Sequence, residues 1–161
     1  MRILSVSNII KLACVAVALI AVSGCSMKTA MVTERVSPYD VDKTVATIQA
    51  NAKAIGWVSP GVKNMNKSVK KHGGPDIGGP VRIVELCNAG HAGKILSEDE
   101  GRYSALLMPC AIAVYTKSDG KTYVSNMKAG RMGSMMGGVV AEVMQDVDAD
   151  QKKMLSFLPE E

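Results

Sequence analysis

The stretch from Ala105 to Met127, ALLMPCAIAVYTKSDGKTYVSNM, decides the fold. It opens with an apolar run, Ala105 to Thr116, which is rich in β-branched residues and predicts a strand entered at Pro109. Asp119-Gly120 is a dipeptide typical of hairpin turns, and Thr122 to Met127 predicts the returning strand. The sequence therefore predicts an antiparallel β-hairpin.

Upstream of the hairpin, the sequence predicts another strand and two helices. Val81 to Cys87 alternates loosely and is rich in β-branched residues, which predicts a strand. Asn88 follows it and is a suitable cap for a short helix. Ser37-Pro38 predicts the start of an earlier helix, with Ser at the cap and Pro at the first helical position. The apolar positions of that helix recur at helical spacing as far as Ile55.

The other segments are predicted as an extended segment, a loop and two more helices. Trp57 to Val62 is extended, and Lys63 to Gly79, rich in Lys, Asn and Gly, predicts a loop. Ser134 to Val147 has apolar residues at helical spacing, and Asp148 with Gln151 predicts the start of a last short helix. Helices on one face of a mainly antiparallel sheet form a two-layer α+β domain, which is the fold class we expect.

The N-terminus has the organisation of a bacterial lipoprotein signal. A basic start precedes an apolar run that is shorter than the roughly 20 residues of a membrane-spanning helix. The run ends in Val22-Ser23-Gly24-Cys25, which resembles a lipobox whose cysteine becomes the acylated first residue. We expect a signal peptide over residues 1–24, a lipidated tether over 25–35 and one domain over 36–161, held at the membrane and facing the periplasm. The alternative is an ordinary secretory signal in which Cys25 is incidental.

The charge balance does not indicate a nucleic-acid partner. The chain has 19 Lys plus Arg and 15 Asp plus Glu, and loss of the signal removes only Arg2 and Lys11, which leaves 17 against 15. Nucleic-acid binding requires a clustered basic face. One local cluster is expected to be a solvated loop, with contact to anionic lipid headgroups as the alternative: Lys63, Lys67, Lys70 and Lys71.

Only two cysteines are expected to remain available in the mature domain. Cys14 lies in the signal and Cys25 is expected to be lipidated, which leaves Cys87 and Cys110. In an oxidising compartment, a disulfide between these two is the plain expectation. It would stabilise the domain by about 3 kcal/mol in the chain-entropy description.

The same residues allow other chemistry. Cys87 and His91 lie four positions apart, and with Cys110 they would suit a soft metal such as Cu(I) or Zn(II). The two cysteines could instead cycle as a thiol redox pair. Covalent c-type haem attachment is excluded, because no Cys-x-x-Cys-His motif is present. A non-covalent b-type haem with His91 or a Met as axial ligand is a further alternative. The sequence does not decide the cofactor.

The C-terminal third of the chain is rich in methionine and glycine. Thioethers that would bind metal or pack the core include Met132, Met135 and Met136. Before the predicted helix, amides around Gly130, Arg131 and Gly133 could hold an anion. Gly137-Gly138 inside that helix would cost about 1 kcal/mol each relative to Ala, which indicates close approach of another backbone or a ligand. Contact with another helix, within the domain or across a dimer, is the simpler explanation. The sequence contains no signature of a catalytic site, such as Gly-x-Ser-x-Gly.

A set of short motifs spans the region from about Val36 to Leu155: Thr44-Val45, Ala54-Ile55-Gly56-Trp57, Val84-Glu85-Leu86-Cys87-Asn88, Met108-Pro109-Cys110, and Tyr115 through Asp119-Gly120-Lys121 to Val124. In order and spacing this set resembles the bacterial and archaeal family called domain of unknown function 302. The resemblance implies a compact α+β fold like that of the TATA-binding-protein group, often dimeric, with no agreed activity. Cys87-Asn88 and Pro109-Cys110 resemble its cysteine-bearing branch, which implies that these cysteines belong together. We therefore expect a lipid-anchored, homodimeric binding or interaction domain.

Overall fold

The structure, a computed structural model, describes residues 30–159. The strands are β1 (Val32–Val36), β2 (Val58–Asn64), β3 (Val81–Cys87), β4 (Cys110–Thr116) and β5 (Thr122–Met127). They form one five-stranded sheet in the order β1-β5-β4-β3-β2. Every neighbouring pair is antiparallel.

Five α-helices and one 3₁₀ helix follow β1 in the described range. They are α1 (Val41–Ala54), α2 (Met65–Lys71), α3 (Ala89–Leu96), the 3₁₀ helix (Asp99–Leu107), α4 (Ala129–Met136) and α5 (Gly138–Met154). None of the helices within residues 30–159 is long and apolar enough to cross a membrane. The predicted signal peptide and Cys25 lie outside the described residues.

The core lies between one face of the sheet and the helices. Alternate apolar residues in the middle of the central strands are buried: Val84, Leu86, Ile112, Val114 and Val124. They form one cluster with Ile48 of α1 and with Val143 and Met154 of α5. The alternating strand residues are half-buried or exposed, as expected for a sheet covered on one side. The predicted two-layer α+β fold is confirmed.

The predicted hairpin is confirmed, although its first strand starts later than expected. Thr116 pairs with Thr122 across the turn, where Gly120 adopts a φ of 77°. The preceding residues, Ala105 to Leu107, belong to the 3₁₀ helix instead of β4. Met108 is extended, as the residue before a proline prefers to be, so the helical segment ends there and the strand begins at Cys110.

Helix α1 starts three residues after the predicted cap and first position. Asp40 is the N-cap, since its side chain accepts a hydrogen bond from the Lys43 amide at 2.8 Å. The Ser37 hydroxyl instead forms a buried 2.6 Å hydrogen bond with the Thr44 hydroxyl. Ser37 therefore ties the entering chain to the side of the helix, and its interpretation as the cap was wrong.

The segment predicted as a loop over residues 63–79 contains helix α2. Its N-cap is Asn64, whose side chain accepts from the Lys67 amide at 3.1 Å. The local cap outweighs the loop-like composition. Lys63 lies before the helix and pairs with Glu85 at 2.6 Å.

Two boundaries near the chain ends also differ from prediction. Residues 32–35, predicted as tether, are part of edge strand β1, which pairs with β5 from Val32–Met127 to Val36–Tyr123. At the other end, α5 runs without interruption through Asp148, so no new helix starts there. The break falls earlier, at Gly137 and Gly138, whose φ values of 74° and 54° lie in the left-handed region.

Candidate functional site

An open groove of about 560 Å³ lies between α4, α5 and the strands β1 and β5. We call it the basic groove, because four cationic residues and one acid line it: Arg35, Lys128, Arg131, Lys152 and Asp148. Its other polar lining residues are Thr33, Asn126, Ser134, Gln145 and Gln151. The groove contains the predicted residues Gly130 and Arg131.

A chain of side-chain hydrogen bonds runs along the strand side of the groove. The Thr33 hydroxyl of β1 donates to the Asn126 side-chain carbonyl of β5. The Asn126 amide donates in turn to Gln151 Oε1 of α5 at 3.1 Å. Gln151 is only 5 % exposed, so these bonds fix the polar surface from which the cationic side chains extend.

The first turn of α4 holds one of the chain's own carboxylates. The Gly130 amide donates to Asp148 Oδ1 at 3.3 Å, and Asp148 Oδ2 pairs with Lys152 at 2.8 Å. Gln145 closes the other side by donating to the Gly130 carbonyl at 2.9 Å. The predicted anion position at this amide is therefore taken by Asp148, and an incoming anion would meet the cationic side chains instead.

Close helix packing explains the glycines of α4. A Cβ on Gly133 would lie 2.4 Å from Met144 Cβ and 3.3 Å from Ala141 Cα of α5. A Cβ on Gly130 would lie 2.8 Å from Gln145 Oε1. Close approach was expected at Gly137-Gly138, but a Cβ at either of those glycines would meet nothing within 4 Å.

A second, much smaller cavity of about 40 Å³ lies beneath α3. We call it the thiol cavity, since Cys87 and Cys110 line it together with His91, Trp57, Met108 and Met144. Both cysteines are free thiols in the structure. Burial, with a smaller contribution from nearby Cys87, raises the pKa of the Cys110 thiol.

The sheet register bears on the predicted disulfide. The residue paired with Cys110 across β3 and β4 is Leu86, and Cys87 lies one position further along. Because successive strand residues point to opposite faces, Leu86 is the natural cross-strand neighbour of Cys110. Both cysteines nonetheless line the thiol cavity, with Cys87 at the last position of its strand. The disulfide stays a prediction.

His91 is held by a half-buried carboxylate, Asp150, that the sequence did not single out. Its Nε2 lies 3.3 Å from Asp150 Oδ2, and the same oxygen accepts a 2.9 Å hydrogen bond from the Trp57 indole. Lys153 pairs with the other oxygen at 2.9 Å. Burial opposes ionisation of Asp150, but the hydrogen bonds from Trp57, Lys153 and His91 outweigh it and lower its pKa.

Of the predicted metal ligands, Cys87, His91 and Cys110 line the thiol cavity, whereas Met132, Met135 and Met136 do not. Within residues 30–159, no three His, Cys, Asp or Glu side chains are grouped to hold a metal ion. Met132 and Met136 pack against the core, and Met135 is 74 % exposed. A haem on His91 does not fit the thiol cavity, because pockets for cofactor-sized ligands have about 300–1,000 Å³.

Several residues of both sites were missed by sequence reasoning. Arg35 and Lys152 are 117 positions apart and line one groove only because β1 and α5 border it. Trp57 lies just before β2 and Asp150 lies on α5, 93 positions away, and the two are joined by a hydrogen bond only in the folded chain. No local spacing signals these pairs, although the i, i+4 spacing of Asp148 and Lys152 was visible.

Comparison with known proteins agrees with this architecture. The family model for the domain of unknown function DUF302 matches residues 33–158. A search of curated proteins finds no match. The crystal structure of an uncharacterized conserved DUF302 protein from Bacillus stearothermophilus is similar with a TM-score of 0.69 and 19 % identity, covering 80 % of this chain and 98 % of that one. This likeness shows the shared fold. The family match over most of the chain shows that the protein belongs to the DUF302 family.

Proposed function

We propose that this DUF302 domain is a binding module that holds a small anionic molecule in the basic groove. The observation that carries the proposal is the grouping of four cationic side chains around one groove, where the described lining residues include one acid. The volume of about 560 Å³ lies within the range of small-molecule sites. The groove is open, so a ligand of this size can enter without rearrangement of the sheet.

The charge of the groove supports an anionic ligand. Among the described lining residues, the one carboxylate is that of Asp148, and it is engaged by the Gly130 amide and by Lys152. No ion pair engages Arg35 within residues 30–159. Clustered charge of one sign in a concave surface raises the local concentration of counter-ions. The groove therefore attracts anions more strongly than the nearly balanced chain as a whole.

The kinds of side chain present favour a carboxylate or phosphate group. Arginine binds such planar or tetrahedral oxyanions through two parallel hydrogen bonds. The groove has arginines on two elements, Arg35 on β1 and Arg131 on α4. Ser134 and Gln145 add neutral hydrogen-bonding groups at one wall. A small molecule with one or two carboxylate or phosphate groups is the ligand class we propose.

We also propose that the domain works at the bacterial cell envelope, held by acylated Cys25. The lipobox-like sequence before this residue supports the proposal, and β1 begins only seven residues after it. If the proposal is right, wild-type protein sediments with membranes and a Cys25→Ser variant does not. Equal membrane association of the two proteins would contradict it. The homodimer and the absence of a nucleic-acid partner stay predictions.

The groove is tested by the effect of citrate on thermal stability, with ionic strength held constant by NaCl. Citrate should raise the stability of the full chain, by about 2.7 kcal/mol at a concentration one hundred times its Kd. Arg35→Gln should reduce that gain at least by half. The matched control is Lys70→Gln in α2, which removes the same charge outside the groove and should leave the gain unchanged. Equal gains in all three proteins, or no gain in wild type, would refute the proposal.

A further inference from the structure

We propose that the thiol cavity is a binding site for one Cu(I) ion held by sulfur ligands. Four sulfur-containing residues from three parts of the chain line this one cavity: Cys87, Met108, Cys110 and Met144. Thiolate and thioether sulfur are the ligands that select Cu(I). The site lies apart from the basic groove, so the two proposals stand or fall separately.

The size and walls of the cavity suit a single soft ion. Its volume of about 40 Å³ is close to the roughly 30 Å³ that one water molecule occupies in the liquid. The rest of the wall is largely apolar and includes Leu86, Ile95, Val140 and Val147. A water molecule would find few hydrogen-bonding partners in this cavity. A soft metal ion needs only the sulfur ligands and no other polar groups.

The donor set distinguishes copper from zinc. A structural zinc site needs four nitrogen, sulfur or oxygen ligands, and residues 30–159 bring no three His, Cys, Asp or Glu side chains together for one. Cu(I) accepts linear or trigonal sulfur ligation and therefore needs fewer protein groups. His91 Nε2 is bonded to Asp150, so this imidazole has only Nδ1 left to offer, and the soft donors of the cavity are the four sulfur atoms.

The structure also gives the ion access to the cavity from the surface and holds one of its proposed ligands in place. Cys87 is half-buried, and the His91 side chain is 23 % exposed, so this end of the cavity lies near the surface. Met144 is 7 % exposed and is held in place by the close contact between α4 and α5. Binding moves no electron: each ligating thiol forms a sulfur–copper bond and releases its proton to solvent.

The test is an anaerobic competition for Cu(I) against the chromophoric chelator bathocuproine disulfonate. The protein is the full chain with Cys14→Ser and Cys25→Ser, so that Cys87 and Cys110 are the only thiols. The chain should withdraw one equivalent of Cu(I) from the chelator. Cys110→Ser should weaken Cu(I) binding by more than about 100-fold. Loss of a residue that only orients a metal ligand costs less than this, about 10–100-fold.

Two methionine variants keep the test decisive if Cys110→Ser does not fold. Met144→Leu conserves volume and removes one thioether, and we expect about a tenfold loss of affinity. Met135→Leu makes the same change at a residue that is 74 % exposed and should leave affinity unchanged. Failure of the chain to compete with the chelator, or equal affinities for the Met144 and Met135 variants, would overturn the proposal.

Discussion

The contact between α4 and α5 makes a quantitative prediction at Gly133. In the variant Gly133→Ala, the new Cβ would lie 2.4 Å from Met144 Cβ and 3.3 Å from Ala141 Cα. Neither atom is the end of a flexible side chain, so the helices must separate. Overpacking of this kind costs about 1–3 kcal/mol. The gain in helix propensity from Gly to Ala is about 1 kcal/mol and offsets part of that cost.

Gly93→Ala is the matched control, because it makes the same change inside α3 where a Cβ would meet nothing within 4 Å. The control gains the propensity and has no clash, so its free energy of unfolding should rise by up to about 1 kcal/mol. The difference between the two variants isolates the steric cost and should be about 1–3 kcal/mol. Urea unfolding followed by circular dichroism measures it. If Gly133→Ala is as stable as Gly93→Ala, the inferred close packing of the two helices is wrong.

Three further predictions concern α3 and the carboxylate that holds it. Trp57→Phe removes the indole hydrogen bond to Asp150 and should lower the free energy of unfolding by about 1.5–3 kcal/mol, measured in urea; an unchanged value would show that this bond contributes nothing. Asn88→Ala removes the cap bonds to the Gly90 and His91 amides and should cost about 0.5–2 kcal/mol in the same assay, whereas a stabilised variant would contradict the capping role. The pKa of Asp150 is lowered on folding, so its contribution is present above the ordinary value of about 3.9 and disappears as the pH falls through the folded value. Between pH 5 and 2, where carboxylates titrate, the free energy of unfolding of Asp150→Asn should therefore fall less steeply than that of wild type. Parallel curves for the two proteins would show that folding does not lower the pKa of Asp150.

Local patterns predicted much of the sheet. β3, β5 and the turn at Asp119-Gly120 depend on neighbouring residues alone, and the structure has them where the sequence placed them. The start of β4 was set too early because an apolar run does not distinguish a strand from a 3₁₀ helix. The start of α1 was misplaced because both Ser37 and Asp40 suit a cap, and the buried bond of Ser37 to Thr44 is visible only in the fold.

The two sites were less predictable, for a physical reason. The thiol cavity was anticipated through Cys87, His91 and Cys110, which lie on adjacent elements, but Met144 enters it from α5, far along the chain. The basic groove needs residues from four elements, and its charge is apparent only when β1 lies beside α5. Gly133 was interpreted as part of an anion-binding segment before a helix, since the sequence does not show that Met144 packs against it.

The central claim is that the basic groove binds anions, and nuclear magnetic resonance tests it most directly. ¹H–¹⁵N spectra of the full chain are recorded during a citrate titration at constant ionic strength. We predict saturable shifts concentrated at the amides of Thr33, Arg35, Gly130 and Ser134, with the amides of α2 around Lys70 unaffected. Shifts that are absent, or that spread equally to the lysines of α2, would contradict the claim.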